Sequence, residues 1–135
     1  MRYWILCFAP ETYEVVKEKG MIGVRMNVRQ RFVKDMNKGD KFISYVSKQM
    51  ILDGWGTVES DAFMGEDKIF CKDKLFPHRR SVCFEEVSKN RSADNLFMGV
   101  EPFNKVNTPP GNYMMCKGGF VEISERDFRW LLTEM

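Results

Sequence analysis

The amino-acid sequence predicts an α+β domain: a curved mixed sheet or small barrel, flanked by short helices and closed by a C-terminal helix. The predicted elements follow the order strand, helix, helix, several strands and a terminal helix. The length of 135 residues suits one hydrophobic core better than two. The composition, 44% hydrophobic and 30% charged, is typical of a folded globular protein. We therefore expect residues 1–135 to form a single domain.

The N-terminal part begins with a strand and two helices. Tyr3–Phe8 is aromatic and branched, which is typical of a buried strand. Pro10 suits the first turn of a helix, and Gly20 is a suitable residue to end it. Apolar residues spaced by three and four positions predict a second short helix over Val28–Met36.

The middle of the chain is predicted as strands joined by a turn and a loop. A turn over Asn37–Asp40 precedes a half-buried strand over Lys41–Val46. Ile51–Ser60 is a further strand, and its two internal glycines indicate a bulge or close packing against the backbone. Phe63–Leu75 mixes charged residues, glycine and isolated aromatics, so it is interpreted as a loop.

The C-terminal part is predicted as more strands and one helix. The polar segments Ser88–Asp94 and Thr108–Asn112 are interpreted as a turn and a surface loop. Ser124 and Asp127 form a capping box in front of an apolar helix face, which is the strongest local signal in the chain. The predicted strands in this part are Pro77–Val87, Leu96–Val106 and Tyr113–Cys116.

Charge and cysteine content narrow the function classes. The formal net charge of +2 is close to neutral, so any nucleic-acid binding must come from local clusters of Lys and Arg. The four cysteines form no Cys-x-x-Cys pair, so we expect free thiols, no metal site and no cofactor. The apolar run at the N-terminus is too short for a membrane span or a signal peptide. These features favour a soluble cytoplasmic protein with no membrane partner.

Six segments along the chain, taken in order, carry a resemblance to a known family. They are Tyr3–Leu6 (YWIL), Ile22–Val24, Lys38–Val46 (KGDKFISYV), Gly54–Ser60 (GWGTVES), Phe76–Arg79 (FPHR) and Glu122–Leu132 (EISERDFRWLL). Together they resemble the EVE domain family, which is related to YTH, ASCH and other PUA-like domains. The resemblance does not extend to about Phe97–Lys117. It implies a PUA-like mixed β-barrel flanked by short helices, and a role in binding modified nucleic-acid bases.

The resemblance also places a base-binding pocket between the end of the first strand, the segment after the first helix and the loop before the PHRR segment. Phe8 would lie beside the base, and Thr12 would offer a hydroxyl to it. Ile22 stands where relatives usually carry a tryptophan. Phe70 and Leu75 stand where YTH proteins carry two further cage aromatics. Because two of these walls are aliphatic, a neutral base or another planar ligand suits the pocket better than a methylated cation.

Aromatic rings and cations supply the physical basis for this expectation. A base flipped out of a strand needs flat apolar walls and a few hydrogen-bonding groups, and stacking contributes about 1–3 kcal/mol per base. The predicted pocket residues are Trp4, Phe8, Thr12, Ile22, Gly23, Phe70, Leu75 and Phe76. The predicted phosphate-binding residues are Arg25, Lys72, Lys74, Arg79 and Arg80. Both sets have a structural alternative. The rings, Trp4 above all, could be core residues, and the cations could form a solvated face, with Arg79 as the partner of a carboxylate.

Three functions remain open from the sequence. The first is a non-catalytic reader of a modified base in RNA or DNA, with no catalytic residue. The second is an enzyme that acts on a nucleotide or small planar ligand in the same cleft, for which His78 with Cys71 or Asp73 is the only local set. The third is a protein-interaction module whose pocket is vestigial.

Overall fold

The computed structural model describes residues 1–25, 29–71, 74–85 and 91–135, without the side chains of residues 29–31, 91, 94, 95 and 116. The strands in these ranges are β1 (Tyr3–Phe8), β2 (Met21–Val24), β3 (Lys41–Val46), β4 (Ile51–Val58), β5 (Phe63–Met64), β6 (His78–Glu85), β7 (Arg91–Ser92) and β8 (Phe120–Ile123). The helices are α1 (Pro10–Lys19), α2 (Arg29–Lys34), α3 (Ala93–Phe97), α4 (Pro110–Cys116) and α5 (Glu125–Glu134), with a 3₁₀ turn over Phe103–Lys105.

The strands form one mixed sheet in the order β2-β6-β4-β3-β1-β8, with β5 beside β6 and β7 beside β4. Strands β1 and β3 run parallel, in register from Tyr3 opposite Lys41 to Phe8 opposite Val46. The other described pairings are antiparallel. This curled mixed sheet with short helices is the α+β architecture that the order of predicted elements indicated.

Strand β1 is buried on both faces because helices cover both sides of the sheet. Alternate side chains of a strand point to opposite faces. Trp4 and Leu6 therefore enter the core that contains residues of α1 and α2. Ile5 enters the core on the other face, which contains residues of α3, α4 and α5. This two-sided burial explains why the first strand is a continuous apolar run rather than an alternating one.

The two glycines of β4 show the two features that were predicted as alternatives, a bulge at Gly54 and close packing against the backbone at Gly56. The pairing of β3 with β4 shifts register between Ile43 and Tyr45. Gly54, on the opposite strand, has a φ of 146°, a conformation that side chains rarely adopt. At Gly56 a Cβ atom would collide with the carbonyl oxygen of Cys83 and with the ring of Phe42. Strand β4 begins at Ile51 as predicted and ends at Val58, two residues before the predicted end, and its local geometry agrees with the prediction.

The helix boundaries predicted from capping signals are also confirmed. Helix α1 begins at Pro10, and Gly20 ends it in the left-handed conformation with its N–H donating to the carbonyl of Val16. Helix α5 begins after Ser124, whose hydroxyl accepts a 3.1 Å hydrogen bond from the N–H of Asp127. Of the predicted second helix, Arg29–Lys34 is helical, and Val28 lies outside the described residues.

The segment between β7 and β8 differs from the prediction. Leu96–Val106 is not a strand, because it contains the end of α3 and the 3₁₀ turn. Thr108–Asn112 is not entirely loop and Tyr113–Cys116 is not a strand, because both contribute to α4. The predicted turn over Ser88–Asp94 is described only from residue 91, where β7 and then α3 begin. Strand β8 was not predicted.

The physical reason for this error is the spacing of the apolar residues. Phe97, Val100 and Phe103 recur every three positions, which matches helical turns that share one buried face. The rings of Phe97 and Phe103 stack with their centroids 4.4 Å apart. Aromatic and branched residues also favour strands, so the composition suggested a strand while the spacing suited a helix.

The buried carboxylate of Asp40 ties the start of β1 to the turn before β3. The side chain is 2% exposed. Its oxygens accept hydrogen bonds from the backbone N–H of Arg2 at 3.0 Å, the indole Nε1 of Trp4 at 3.1 Å and the backbone N–H of Asn37 at 2.9 Å. Trp4 is thus a core residue, with its polar atom satisfied inside the protein.

No helix in the described ranges has the length and hydropathy needed to cross a membrane.

We expect Asp40→Ala to destabilise the protein by roughly 2–4 kcal/mol, because it leaves the buried indole N–H of Trp4 and neighbouring backbone donors without an acceptor. The free energy of unfolding from urea titration measures this. Asp35→Ala is the control, since that side chain is 44% exposed and forms a surface ion pair with Arg2 worth about 0–1 kcal/mol. Equal losses in the two variants would contradict the role assigned to Asp40.

Candidate nucleic-acid interface

A cleft of about 540 Å³ opens at the carboxyl end of β1, where the chain turns into α1. Its volume lies within the range of about 300–1,000 Å³ that small-molecule sites occupy. Its floor and walls are mostly apolar: Leu6, Phe8, Ile22, Val24, Phe32, Met36, Phe76, Met115 and Phe120. Polar side chains join the lining at Glu11, Thr12, Arg25, Ser47 and Lys74.

The floor of the cleft is the upper surface of the first core. Ile22, Phe32 and Phe120 are at most 3% exposed, so packing on their far sides holds them in place. The ring of Phe8 stacks on Tyr13, with centroids 5.5 Å apart and an angle of 24° between the planes. A ligand would therefore meet a preformed apolar surface.

One lip of the cleft is formed by residues 67–71 and 74–76, which pack on β2 at Gly23 through Phe70 and Phe76. A Cβ atom at Gly23 would lie 2.6 Å from Cε2 of Phe70 and 3.2 Å from Cβ of Phe76. The rings of Phe70 and Phe76 meet edge to face, with centroids 5.9 Å apart. The Thr12 hydroxyl donates a 3.3 Å hydrogen bond to the carbonyl of Phe70. Glycine at position 23 is what lets this aromatic pair lie against β2.

The charged groups lie at the rim rather than on the floor. Glu11, Arg25 and Lys74 line the cleft and are exposed to solvent. Exposed charges keep most of their hydration, whereas a charge placed on the apolar floor would lose it at a high cost. The arrangement therefore favours a neutral planar group inside the cleft with anionic groups outside it.

The cysteines that line the cleft are not arranged with His78 as a catalytic nucleophile and base. Burial raises the pKa of the Cys7 thiol to about 11, so it stays protonated at neutral pH and is a poor nucleophile. Cys71 also contributes to the lining. His78, the single histidine of the sequence, is 5% exposed and is not among the described residues that line the cleft. Asp73, its other suggested partner, lies outside the described residues.

The structure brings many of the predicted site residues together. The cleft lining contains Phe8, Thr12, Ile22, Gly23 and Phe76 from the predicted pocket, and Arg25 and Lys74 from the predicted phosphate contacts. Phe70 is 4% exposed and lies behind this lining, against Gly23 and Phe76. Leu75 is 38% exposed and is not among the lining residues, and Trp4 belongs to the core. Lys72 lies outside the described residues.

The prediction that Arg79 and Arg80 contact phosphates is wrong. Their exposed fractions are 3% and 2%. The guanidinium of Arg79 pairs with Asp67 at 2.6 Å, and that of Arg80 donates to backbone carbonyls, including Ser60 at 3.0 Å. The alternative reading of Arg79 as the partner of a carboxylate is the correct one. The hydrogen bond from Arg79 lowers the pKa of Asp67, so the pair is ionised at neutral pH.

Several lining residues were not identified from the sequence. Phe120 and Gly118–Gly119 reach the cleft because β8 pairs with β1, and β8 was not predicted. Glu11 lies at the rim because α1 leaves β1 at this point of the cleft. The Gly-Gly pair was the one visible signal, since consecutive glycines often mark a backbone that must turn sharply.

Solved structures with a similar fold include domains that bind modified RNA. The YTH domain of the Zygosaccharomyces rouxii MRB1 protein, in complex with N6-methyladenosine RNA, has a TM-score of 0.73 and 14% identity, covering 98% of this chain and 82% of that chain. The Pho92 YTH domain, in complex with m6A, has a TM-score of 0.73 and 14% identity, covering 98% and 84%. A protein from Pseudomonas syringae has a TM-score of 0.65 and 13% identity, covering 97% of both chains.

These similarities show that the chain has a YTH-like, PUA-like α+β fold. No family model and no curated protein matches the sequence. The resemblance to the EVE family therefore stays a prediction.

We expect Gly23→Ala to destabilise the protein by about 1–3 kcal/mol, because the added methyl group would push Phe70 out of its place against β2. Gly111→Ala is the control: it lies in α4, where the nearest heavy atom to a new Cβ is 3.5 Å away, and alanine favours helices. Denaturant unfolding of the two variants makes the comparison. A Gly23→Ala variant as stable as Gly111→Ala would show that Phe70 does not depend on Gly23.

Proposed function

We propose that this chain is a non-catalytic nucleic-acid-binding domain that holds a modified, uncharged base of single-stranded RNA in the cleft at the end of β1. The observation that carries the proposal is the cleft itself. An apolar floor and the aromatic rings of Phe8 and Phe76 lie inside it, and the exposed cations Arg25 and Lys74 lie at its rim. The inner part suits a flat heterocycle, and the rim suits the phosphates on either side of it.

The choice of an uncharged base follows from the walls. Ile22 and Val24 are aliphatic, and a cationic ligand gains its binding energy from the electron-rich faces of aromatic rings. Polar groups that can read a base edge are nevertheless present. The oxygen of the Thr12 hydroxyl can still accept a hydrogen bond, and Glu11 and Ser47 add further acceptors.

The choice of RNA follows from the structural comparisons. Two domains with this fold, those of MRB1 and Pho92, were solved with N6-methyladenosine RNA and with m6A. Each is 14% identical to this chain. The shared fold therefore supports only the class of ligand, and the choice of base has to be argued from the residues of the cleft. A non-catalytic role is supported by the protonated state of Cys7 and by the burial of His78, which is not among the described residues that line the cleft.

We expect the protein to bind one modified oligonucleotide in a panel at least about tenfold more tightly than the unmodified strand, because pocket contacts add to phosphate contacts. Fluorescence anisotropy at low and moderate salt, with matched RNA and DNA oligonucleotides carrying methylated or otherwise substituted bases, measures this. Absence of binding to every strand at low salt would rule out the proposed function. Equal affinity for modified and unmodified strands would show that the protein binds phosphates without recognising the base.

We expect Lys74→Gln and Arg25→Gln each to weaken binding about three- to tenfold for modified and unmodified strands alike, and to reduce the slope of log Kd against log salt by about 0.7. Lys105→Gln is the matched control, because this exposed lysine lies in the 3₁₀ turn and is not among the lining residues. If the slope of log Kd against log salt changed equally in all three variants, Arg25 and Lys74 would not be specific phosphate contacts.

A further inference from the structure

We infer that the adjacent arginines of β6, Arg79 and Arg80, are positioning residues that each hold a different wall of the cleft. The role that these walls play in binding rests on the proposed function. The contacts that fix the walls can be tested without any ligand.

Arg79 fixes the lip formed by residues 67–71 and 74–76. Its Nε donates to the carbonyl of Phe76 at 3.0 Å, and its Nη1 donates to Oδ1 of Asp67 at 2.6 Å. Its Nη2 donates to the carbonyl of Asp67 as well. The guanidinium carbon lies 5.4 Å from the ring centroid of Phe70. One planar group thus holds the first residue of the lip, its buried ring and its last residue.

The backbone also passes close to this guanidinium. A Cβ atom at Gly65 would collide with the guanidinium of Arg79, so glycine lets the chain run directly over it. The N–H of Gly65 donates to the carbonyl of Pro77 at 2.8 Å. The chain just before the lip is therefore held by a backbone hydrogen bond to Pro77, and the lip itself is held by the side-chain hydrogen bonds of Arg79.

Arg80 fixes the wall that contains α2. Its Nε and Nη2 donate to the carbonyl of Phe32 at 3.2 and 3.0 Å. Nη2 also donates to the carbonyls of Val33 at 3.2 Å and Met36 at 2.6 Å. These carbonyls lie at the end of α2, where a helix leaves its last acceptors unpaired. Phe32 and Met36 are both lining residues of the cleft.

The geometry of a strand explains how neighbouring residues reach two separate walls. Successive side chains of a strand point to opposite faces, so Arg79 and Arg80 leave β6 in opposite directions. Each wall needs several donors arranged in a plane, which a guanidinium supplies and an ammonium group does not. Since both side chains are buried, they act on a ligand through the shape of the cleft rather than through charge at its rim.

A substitution at Asp67 can distinguish an effect through the shape of the cleft from an effect through charge at its rim. Its side chain is 69% exposed and makes the ion pair with Arg79, so Asp67→Asn weakens the anchor without removing a buried residue. The substitution also removes one negative charge from the lip. Electrostatics alone would then tighten nucleic-acid binding, whereas loss of the anchor would weaken it. The exposed neighbour Glu66 provides the matched control, because Glu66→Gln changes the charge equally and leaves the ion pair intact.

The first readout needs no ligand. Cys71 lies in the lip, so its rate of labelling by a maleimide, followed by peptide mass spectrometry, reports how well the lip is held. The exposed Cys83 serves as the internal reference in the same molecule. We expect Asp67→Asn to raise the rate at Cys71 relative to Cys83 about three- to tenfold, and Glu66→Gln to leave it unchanged. An unchanged rate in Asp67→Asn would overturn the inference for Arg79.

The second readout is binding to the preferred oligonucleotide from the panel. We expect Asp67→Asn to weaken Kd about three- to tenfold with an unchanged salt slope, and Glu66→Gln to leave Kd unchanged or slightly tighter. Equal or tighter binding by Asp67→Asn would overturn the role in positioning. If the wild-type protein bound no strand while Cys71 still became more reactive in Asp67→Asn, the proposed function would fail and the anchoring would stand.

Arg80 is tested by amide hydrogen exchange in Arg80→Lys, with Arg129→Lys as the control on an exposed arginine of α5. We expect faster exchange in residues 32–36 and an unchanged labelling rate at Cys71, because the two arginines hold different walls. Thermal unfolding establishes that the variant is folded at the temperature used. Unchanged exchange in residues 32–36 would overturn the inference for Arg80, and faster labelling of Cys71 would show that the walls are not held separately.

Discussion

Strand β1 lies between β3 and β8 and is buried on both faces, and both cores and the cleft depend on that position. Its parallel pairing with β3 requires a long crossover, which the chain uses to place α1 and α2 over one face and β2 at the edge of the sheet beside β6. The strand ends at Phe8, where the chain turns into α1 instead of continuing the sheet. The cleft lies at that turn, at the end of the first core.

The cleft separates apolar and charged groups by depth. Its floor consists of side chains that also belong to the core, such as Ile22 and Phe32, so their positions are set by packing. Its rim carries Glu11, Arg25 and Lys74, which remain in water. A ligand that is flat and uncharged at one end and anionic at the other loses little hydration on entering such a site. A base joined to a sugar-phosphate backbone has that form.

The buried arginines show why local charge density is a weak guide to a binding surface. The segment from residue 74 to residue 80 is rich in cations, yet Lys74 is exposed while Arg79 and Arg80 are buried. Burial lowers the pKa of Arg80, and carbonyl oxygens take the place of water around its guanidinium. The cost of burying these charges is offset by many hydrogen bonds, and the result is a rigid support on two sides of the cleft.

Local chemistry is sufficient for the elements whose signals lie within a few residues of one another. The buried run of β1, the glycine that ends α1, the bulge glycines of β4 and the capping box of α5 all depend on near neighbours, and each is found where the sequence predicted it. The α+β fold class followed from their order. The segment between β7 and β8 was predicted wrongly because its aromatic residues suit a strand or a helix, and packing on the sheet selects the helix.

The functional site depends on contacts between residues far apart in the chain. Phe8 and Ile22 were placed in the pocket by the family resemblance, and Phe76 was a candidate as an aromatic ring that could stack on a base. Phe120 reaches the cleft through the pairing of β8 with β1, which no local pattern reveals. The role of a cation cannot be predicted from its sequence neighbours either. An arginine that is exposed can face a phosphate, whereas one that the folded chain buries donates to the backbone carbonyls packed against it. A sequence specifies the kind of group at each position. Long-range packing specifies its surroundings, and those surroundings give Lys74 and Arg80 different roles.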